Sequence, residues 1–219
     1  MTKQKSITIV AFGDSITEAV RQELKNRWPE IVRGTLQEQF PAIEINLINA
    51  GVGGNTSREG LARIQEDVLK HQPDIVIFEF GNDLTSDSER HVPLAEFKEN
   101  THRIITLVAQ KNQGQSILMT FPPMIDSWHG NYEHPAFKDN GGQDACQEKY
   151  RQVTRQVAQA CSLPLIELDL VMRAEIDAQG QASCILPDGV HLTDHANQIA
   201  ANTVLKVLAP EVQAYCESK

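Results

Sequence analysis

The chain has 219 residues, with 20 basic against 29 acidic side chains and a formal net charge of -9. That length suits a single domain, residues 1–219, with a proper core. The acidic balance, without a lysine or arginine cluster, argues against nucleic acid or an anionic bilayer as partner, since both would be repelled.

The apolar stretch behind Lys3 and Lys5 is only about six residues, short of the core of a signal peptide, and it runs straight into Phe12-Gly13-Asp14-Ser15-Ile16-Thr17. No run is long enough to span a bilayer. A cytoplasmic location without membrane insertion is therefore expected, with Cys146, Cys161, Cys184 and Cys216 as thiols rather than a disulfide framework.

In chain order, Ser6 to Phe12 is nearly continuous apolar and β-branched, as a buried parallel strand should be. Two helical stretches are expected next, Thr17 to Arg27 and Trp28 to Phe40, the second with Pro29 in its first turn. Ile43 to Ile48 alternates apolar with polar residues, which suits a sheet edge. Ser57 to Gln72 reads as a helix, Asp74 to Phe80 as the most apolar and hence central strand, and Pro93 to Lys111 as a long amphipathic helix. Gln115 to Phe121 is a fourth strand. The Met124 to Gln143 segment that follows is long enough to be functional and carries Trp128, Tyr132 and Phe137, which could wall a substrate site; a surface loop is the alternative. Asp144 to Ala160 reads as a helix, Leu163 to Leu168 as a fifth strand, and Leu170 to Ile176 as a short helix. Thr193 would cap a last helix with an Ala196, Ile199, Ala200, Val204 and Val207 stripe. Strands alternating with helices imply an α/β class: a three-layer α/β/α sandwich on a five-stranded, mostly parallel sheet, with the intervening turns on one edge.

Ser15 stands where the first strand turns into a helix, the place where ligands bind in such sheets and where free backbone N–H groups stabilise negative charge. It is a candidate nucleophile, although Asp14, Ser15 and Thr17 are also the usual capping types. A serine needs a base, and the base a carboxylate to orient it. Asp188 and His191, three apart in Pro187-Asp188-Gly189-Val190-His191, could supply both from one loop. In Gly51-Val52-Gly53-Gly54 the dinucleotide spacing fails, because Thr56 stands three after Gly53. A bare N–H approaching a reacting carbonyl is one use of such glycines, a plain turn another, and phosphate binding a third. Asn82 can donate two N–H bonds without carrying charge. His129 and His134 lack acidic or thiol neighbours at metal-ligand spacing, and no glutamate stands between His191 and His195 as in a zinc-peptidase helix, so no metal is expected.

Four blocks together resemble the GDSL or SGNH hydrolases, which are serine esterases and acylhydrolases: Gly13-Asp14-Ser15-Ile16-Thr17, Asn49 to Ser57, Gly81-Asn82-Asp83-Leu84, and Asp188 to Leu192. The resemblance spans about Ile7 to Ala200. It implies a flavodoxin-like fold, a triad of Ser15, Asp188 and His191, and an oxyanion hole from the N–H groups of Ser15 and Gly54 with the Asn82 side chain. Asp14 and Asp83 would be supporting residues, and Asp83 would fix its loop. The third block departs from the family pattern, since Phe80 stands two before Asn82 where glycine is usual, and glycine falls at Gly81. No cofactor is implied. The expected partner is a small-molecule ester, most simply a short acyl (acetyl) ester such as an acetylated sugar. Longer acyl esters or thioesters, or a non-catalytic binding relative on the same fold, are the alternatives, and a homo-oligomer is compatible with the sequence.

Overall fold

The computed structural model describes residues 5–112 and 114–218; Lys3 lies outside them. The chain builds a parallel five-stranded sheet in the order β2-β1-β3-β4-β5, with β1 at Ser6–Gly13, β2 at Glu44–Gly51, β3 at Ile75–Phe78, β4 at Gln115–Met119 and β5 at Leu165–Ile166. The alternating β2 lies at an edge and the wholly apolar β3 in the middle, as the patterns require.

Successive side chains of β1 serve opposite faces. Ile7, Ile9 and Ala11 join one core with Trp28, Val32 and Leu36 of α2 (Trp28–Gln39) and Ala196, Ala200 and Val204 of the last helix. Val10 and Phe12 join the other, with Ile64 of α3 (Ser57–Asp67), Ile104 and Val108 of α4 (Leu94–Asn112), and Val157 of α6 (Gln143–Ala160). Layers of helix thus cover both faces. Register then fixes the site: Gly13 pairs with Gly51 and Phe12 with Phe78. The turns after β1, β2 and β3 leave the sheet side by side at its carboxyl edge.

Three elements differ from expectation. Between Thr17 and Arg27 there is no continuous helix. α1 is one turn, Ser15–Glu18, ending at Ala19 in the left-handed region (φ 53°), with a short 3₁₀ turn at Leu24–Asn26. The carbonyls that would extend it are taken by other parts of the chain: Trp28 Nε1 donates to Ile16 O (3.0 Å), and Asn49 Nδ2 to Thr17 O (3.0 Å) and Glu18 O (3.3 Å). The helix after Thr56 ends at Asp67, with a 3₁₀ turn to His71. The last strand is only two residues, because α7 (Leu168–Gln179) begins sooner than the sequence suggested. Asp169 is held in that helix's first turn by Thr120 Oγ1 (2.6 Å) and by two 2.7 Å bonds from Arg155 Nη2. Short helices α5 (Pro135–Lys138) and α8 (Gln181–Cys184) precede α9 (Asp194–Ser218). Among the described residues no helix is long and apolar enough to cross a membrane.

Candidate active site

Asp14 and Ser15 divide the two roles that their sequence left open. Asp14 Oδ1 accepts the N–H of Ile16 at 3.0 Å and caps α1, which leaves the Ser15 hydroxyl free. Ser15 Oγ lies 3.0 Å from His191 Nε2, and His191 Nδ1 lies 2.7 Å from Asp188 Oδ2. The other oxygen, Asp188 Oδ1, accepts the backbone N–H groups of Val190 (3.0 Å) and His191 (2.9 Å). Burial alone would raise the Asp188 pKa. The two N–H bonds and the His191 ring outweigh it and hold the carboxyl below its usual value, so it is ionised where it orients the imidazole.

Residues so far apart in sequence meet because the start of α9 is tied to the α1 turn. Thr193 Oγ1 accepts the N–H of Ala196 (3.1 Å) and caps α9 as expected. Asn197 Oδ1 accepts from Trp28 N (3.2 Å), and Gln22 Nε2 donates to Leu192 O (2.7 Å).

On the opposite side of Ser15 lies the glycine loop. Gly53 N–H donates to Glu18 Oε2 (2.8 Å), and a Cβ on Gly53 would stand 3.7 Å from that of Ser15, so the loop rests against the Ser15 turn. Gly54 has φ +77°, which an L side chain rarely adopts. Among the described residues neither its N–H nor that of Ser15 donates a hydrogen bond. Both stay available to an oxyanion.

The irregular third block places its residues on separate faces. Phe80 packs edge-on against Phe12, ring centroids 5.3 Å apart, and fills the sheet face under α3. Gly81 lies so close to the Phe121 ring that any Cβ would fall 2.0 Å from it, and this position therefore demands glycine. Asn82 turns to the Ser15 side, with Nδ2 donating to Asp14 Oδ2 at 2.8 Å. Asp83 points away from Ser15 and accepts the backbone N–H of Ser57 (2.8 Å) and its hydroxyl, joining the third block to α3. Burial pushes its carboxyl up to about 7 against those bonds.

A cavity of about 200 Å³ opens beside Ser15, Asn82 and His191. The Met124 to Gln143 segment reaches it through Met124, His129 and Gln143, and Phe121, just past β4, supplies the aromatic wall. The aromatic residues expected to form that wall lie elsewhere: Phe137 is buried, Tyr132 is exposed, and Trp128 lines a neighbouring groove with Ile185, Leu186 and Pro187. His134 caps α5 through Nδ1 (3.3 Å from Ala136 N), and His195, in the first turn of α9, has its Nε2 2.7 Å from Glu175 Oε1.

Arg21 and Arg63 had no sequence signal that placed them here, whereas His129 and Gln143 belong to the Met124 to Gln143 segment, whose length marked it as functional. Arg63 lies outside the four blocks, yet it bonds Gly13 O (2.8 Å), Ala50 O (2.7 Å) and Asn55 Oδ1 (2.7 Å) and so clamps the first two turns together.

A model of the GDSL-like lipase/acylhydrolase family matches residues 11–199. An acetylxylan esterase of Geobacillus stearothermophilus is 27% identical, over 93% of this chain and 94% of its own. The crystal structure of Axe2, an acetylxylan esterase from that organism, has a TM-score of 0.75 at 25% identity, covering 94% of this chain and 95% of the other. A Bacillus subtilis protein named uncharacterized lipoprotein YqeF is 27% identical, over 87% of this chain and 85% of its own. The Escherichia coli (strain K12) thioesterase 1/protease 1/lysophospholipase L1 is 31% identical over 34% of this chain and 33% of its own. The chain belongs to the GDSL-like lipase/acylhydrolase family and is a serine esterase.

Proposed function

We propose that this esterase hydrolyses short-acyl, chiefly acetyl, esters of a small molecule or sugar, with Ser15 as nucleophile. The observation that carries the reading is the unbroken relay from Ser15 Oγ to His191 Nε2 (3.0 Å) and from His191 Nδ1 to Asp188 Oδ2 (2.7 Å), opening on a cavity of only about 200 Å³. Sites for drug-sized ligands run to about 300–1,000 Å³, so a small acyl and alcohol pair suits this one.

His191 takes the Ser15 proton as Oγ adds to the ester carbonyl, and the imidazolium is held by Asp188. The tetrahedral oxyanion is met by the N–H groups of Ser15 and Gly54 and by the Asn82 amide. Collapse breaks the bond to the alkoxy oxygen, which leaves as the alcohol with the proton from His191. Water then adds to the acyl-serine with His191 again as base, releasing the acid and restoring Ser15.

One observation favours longer acyl groups as a second reading: the apolar groove of about 350 Å³ that includes Trp128, Ile185, Leu186 and Pro187 begins next to Asp188. A p-nitrophenyl ester series from acetate to palmitate, run on wild type and Ser15→Ala, separates the two. Turnover that needs Ser15 and peaks at acetate to butyrate is expected. A peak at palmitate would move the substrate class to lipid esters, and turnover that survives Ser15→Ala would overturn the mechanism.

A further inference from the structure

The relay leaves three polar side chains of the same cavity unused. Gln143, at the start of α6, is 5% exposed; its Oε1 is buried without a partner, and among the described residues its amide bonds to no protein group. Native structures leave few buried polar atoms unbonded, and each calls for an explanation. His129 Nδ1 accepts the N–H of Asn131 at 3.1 Å, which places the ring proton on Nε2. Among the described residues that Nε2 has no acceptor. Arg21, just past α1, lines both this cavity and a narrow crevice behind Ser15 and His191, and among the described residues it makes no ion pair or hydrogen bond. Arg63, Arg90 and Arg173 each have acidic partners.

Arg21 shares the crevice with His191, and the His129 backbone lies against Gly189 in the loop between Asp188 and His191, so both stand on the His191 side of the nucleophile. His191 is the residue that returns a proton to the departing alcohol, so what surrounds it faces the alcohol part of the substrate. Guanidinium and imidazole N–H are donors, and the guanidinium fork matches a carboxylate in shape and charge. The Gln143 NH₂ adds a third donor, while its orphaned Oε1, an acceptor, suits a hydroxyl or N–H of the substrate beside that carboxylate. A cation at the mouth also offsets, close to the site, the repulsion that a chain of net charge -9 exerts on an anion.

We infer that Arg21, His129 and Gln143 form a subsite for a carboxylate on the alcohol part of the substrate, so that the preferred substrates are acyl esters of hydroxy acids. This rests on the esterase reading above and deepens it.

The test compares 3-acetoxybenzoate with 3-acetoxybenzamide, which share the ester and differ in charge, with phenyl acetate as the plain ester. Wild type is expected to favour the benzoate by about fivefold to tenfold in kcat/KM, mostly through KM, and the ratio should shrink with added salt. Arg21→Gln should bring the ratio near one, and Arg21→Lys should restore part of it. Arg103→Gln makes the same change in net charge on α4 and should leave the wild-type ratio. Equal kcat/KM for the two esters in wild type, or a ratio that survives Arg21→Gln, overturns the subsite. Hydrolysis of phenyl acetate without charge preference would sink only this proposal, whereas no Ser15-dependent hydrolysis of any of the three would sink the esterase mechanism. In that event, thermal shift of Ser15→Ala with 3-hydroxybenzoate reads the subsite directly. Stabilisation lost with Arg21→Gln upholds it, and a flat response rejects it.

Discussion

Asn82 Nδ2 and Gly81 N both donate to one oxygen, Oδ2 of Asp14, each at 2.8 Å. The carboxylate that caps α1 with its other oxygen thereby also orients the amide in the loop after the neighbouring β3. An amide nitrogen carries two N–H groups, so one can stay on Asp14 while the second meets the oxyanion. The loss of one such donor costs about 10²–10³ in kcat. Asn82→Ala should slow acetate ester turnover by about that factor with KM little changed. Near-wild-type kcat in a folded variant would remove Asn82 from the oxyanion hole.

Behind the same turn lies a second buried acid. Glu79 is 2% exposed, and its Oε1 accepts from Thr17 Oγ1 at 3.1 Å. Burial first, and then the charge of Asp14 beside it, push the Glu79 carboxyl well above the usual carboxylate range. Its carboxyl thus favours the neutral acid form that glutamine mimics, and Glu79→Gln should keep near-wild-type kcat at pH 7. As pH rises, wild type should lose activity when Glu79 ionises against Asp14, and the glutamine variant should show less of that alkaline loss. A pH profile of kcat for the two proteins checks this; an inactive glutamine variant at pH 7 would mean that a charge at residue 79 is needed.

The parts of this molecule that were legible in the sequence are those where local and global forces agree. The apolar β1 run ends in Asp14-Ser15, and sheet register carries that turn to the level of the glycine loop and Asn82 whatever the loops between do. Asp188 and His191 were readable because three residues of one turn close their own hydrogen bonds. The expected Thr17 to Arg27 helix failed because Trp28 and Asn49, chosen by the tertiary fold, take its carbonyls. Arg21, His129 and Gln143 sit in no periodic pattern: the broken α1 turn leaves Arg21 at the site, and packing of the long loop against the sheet edge brings His129 and Gln143 to Ser15.

Acid-side stability follows from three buried carboxyls. Burial raises Asp83 to about 7 and lifts Asp14 and Glu79 above their usual values as well. A carboxyl with a raised folded-state pKa binds its proton more tightly in the native chain than in the unfolded one. Its contribution is full below the unfolded value and is lost as pH climbs through the folded one. The carboxyls shifted downward, Asp188, Asp144, Glu59 and Glu96, titrate below their usual values and do not act near neutrality, whereas burial lowers His129, whose protonation costs stability toward pH 5 and offsets part of the fall. The melting temperature should therefore fall between pH 5 and pH 8, by roughly 5 °C at about 2–4 °C per kcal/mol. Asp83→Asn should flatten part of that slope. A melting temperature that rises over the same range in wild type would contradict the assignment.

Arg63 makes the strongest claim to a role without touching substrate. Its guanidinium stacks 4.5 Å from the Phe12 ring centroid while bonding the carbonyls of Gly13 and Ala50 and the side chains of Asn55 and Asp67. A lysine cannot reproduce that fork, because its single ammonium reaches fewer of these acceptors at once. Arg63→Met would remove four hydrogen bonds, leaving Gly13 O to the N–H of Val52, at about 0.5–1.5 kcal/mol per bond, which predicts a melting temperature lower by roughly 5–10 °C. If the clamp also holds the Gly54 N–H in line with that of Ser15, kcat on an acetate ester should fall tenfold or more at a temperature where the variant is fully folded, with KM little altered. A lower melting temperature with unchanged kcat would make Arg63 a stabilising residue only, and would show that the Gly53 to Glu18 bond suffices to place the glycine loop.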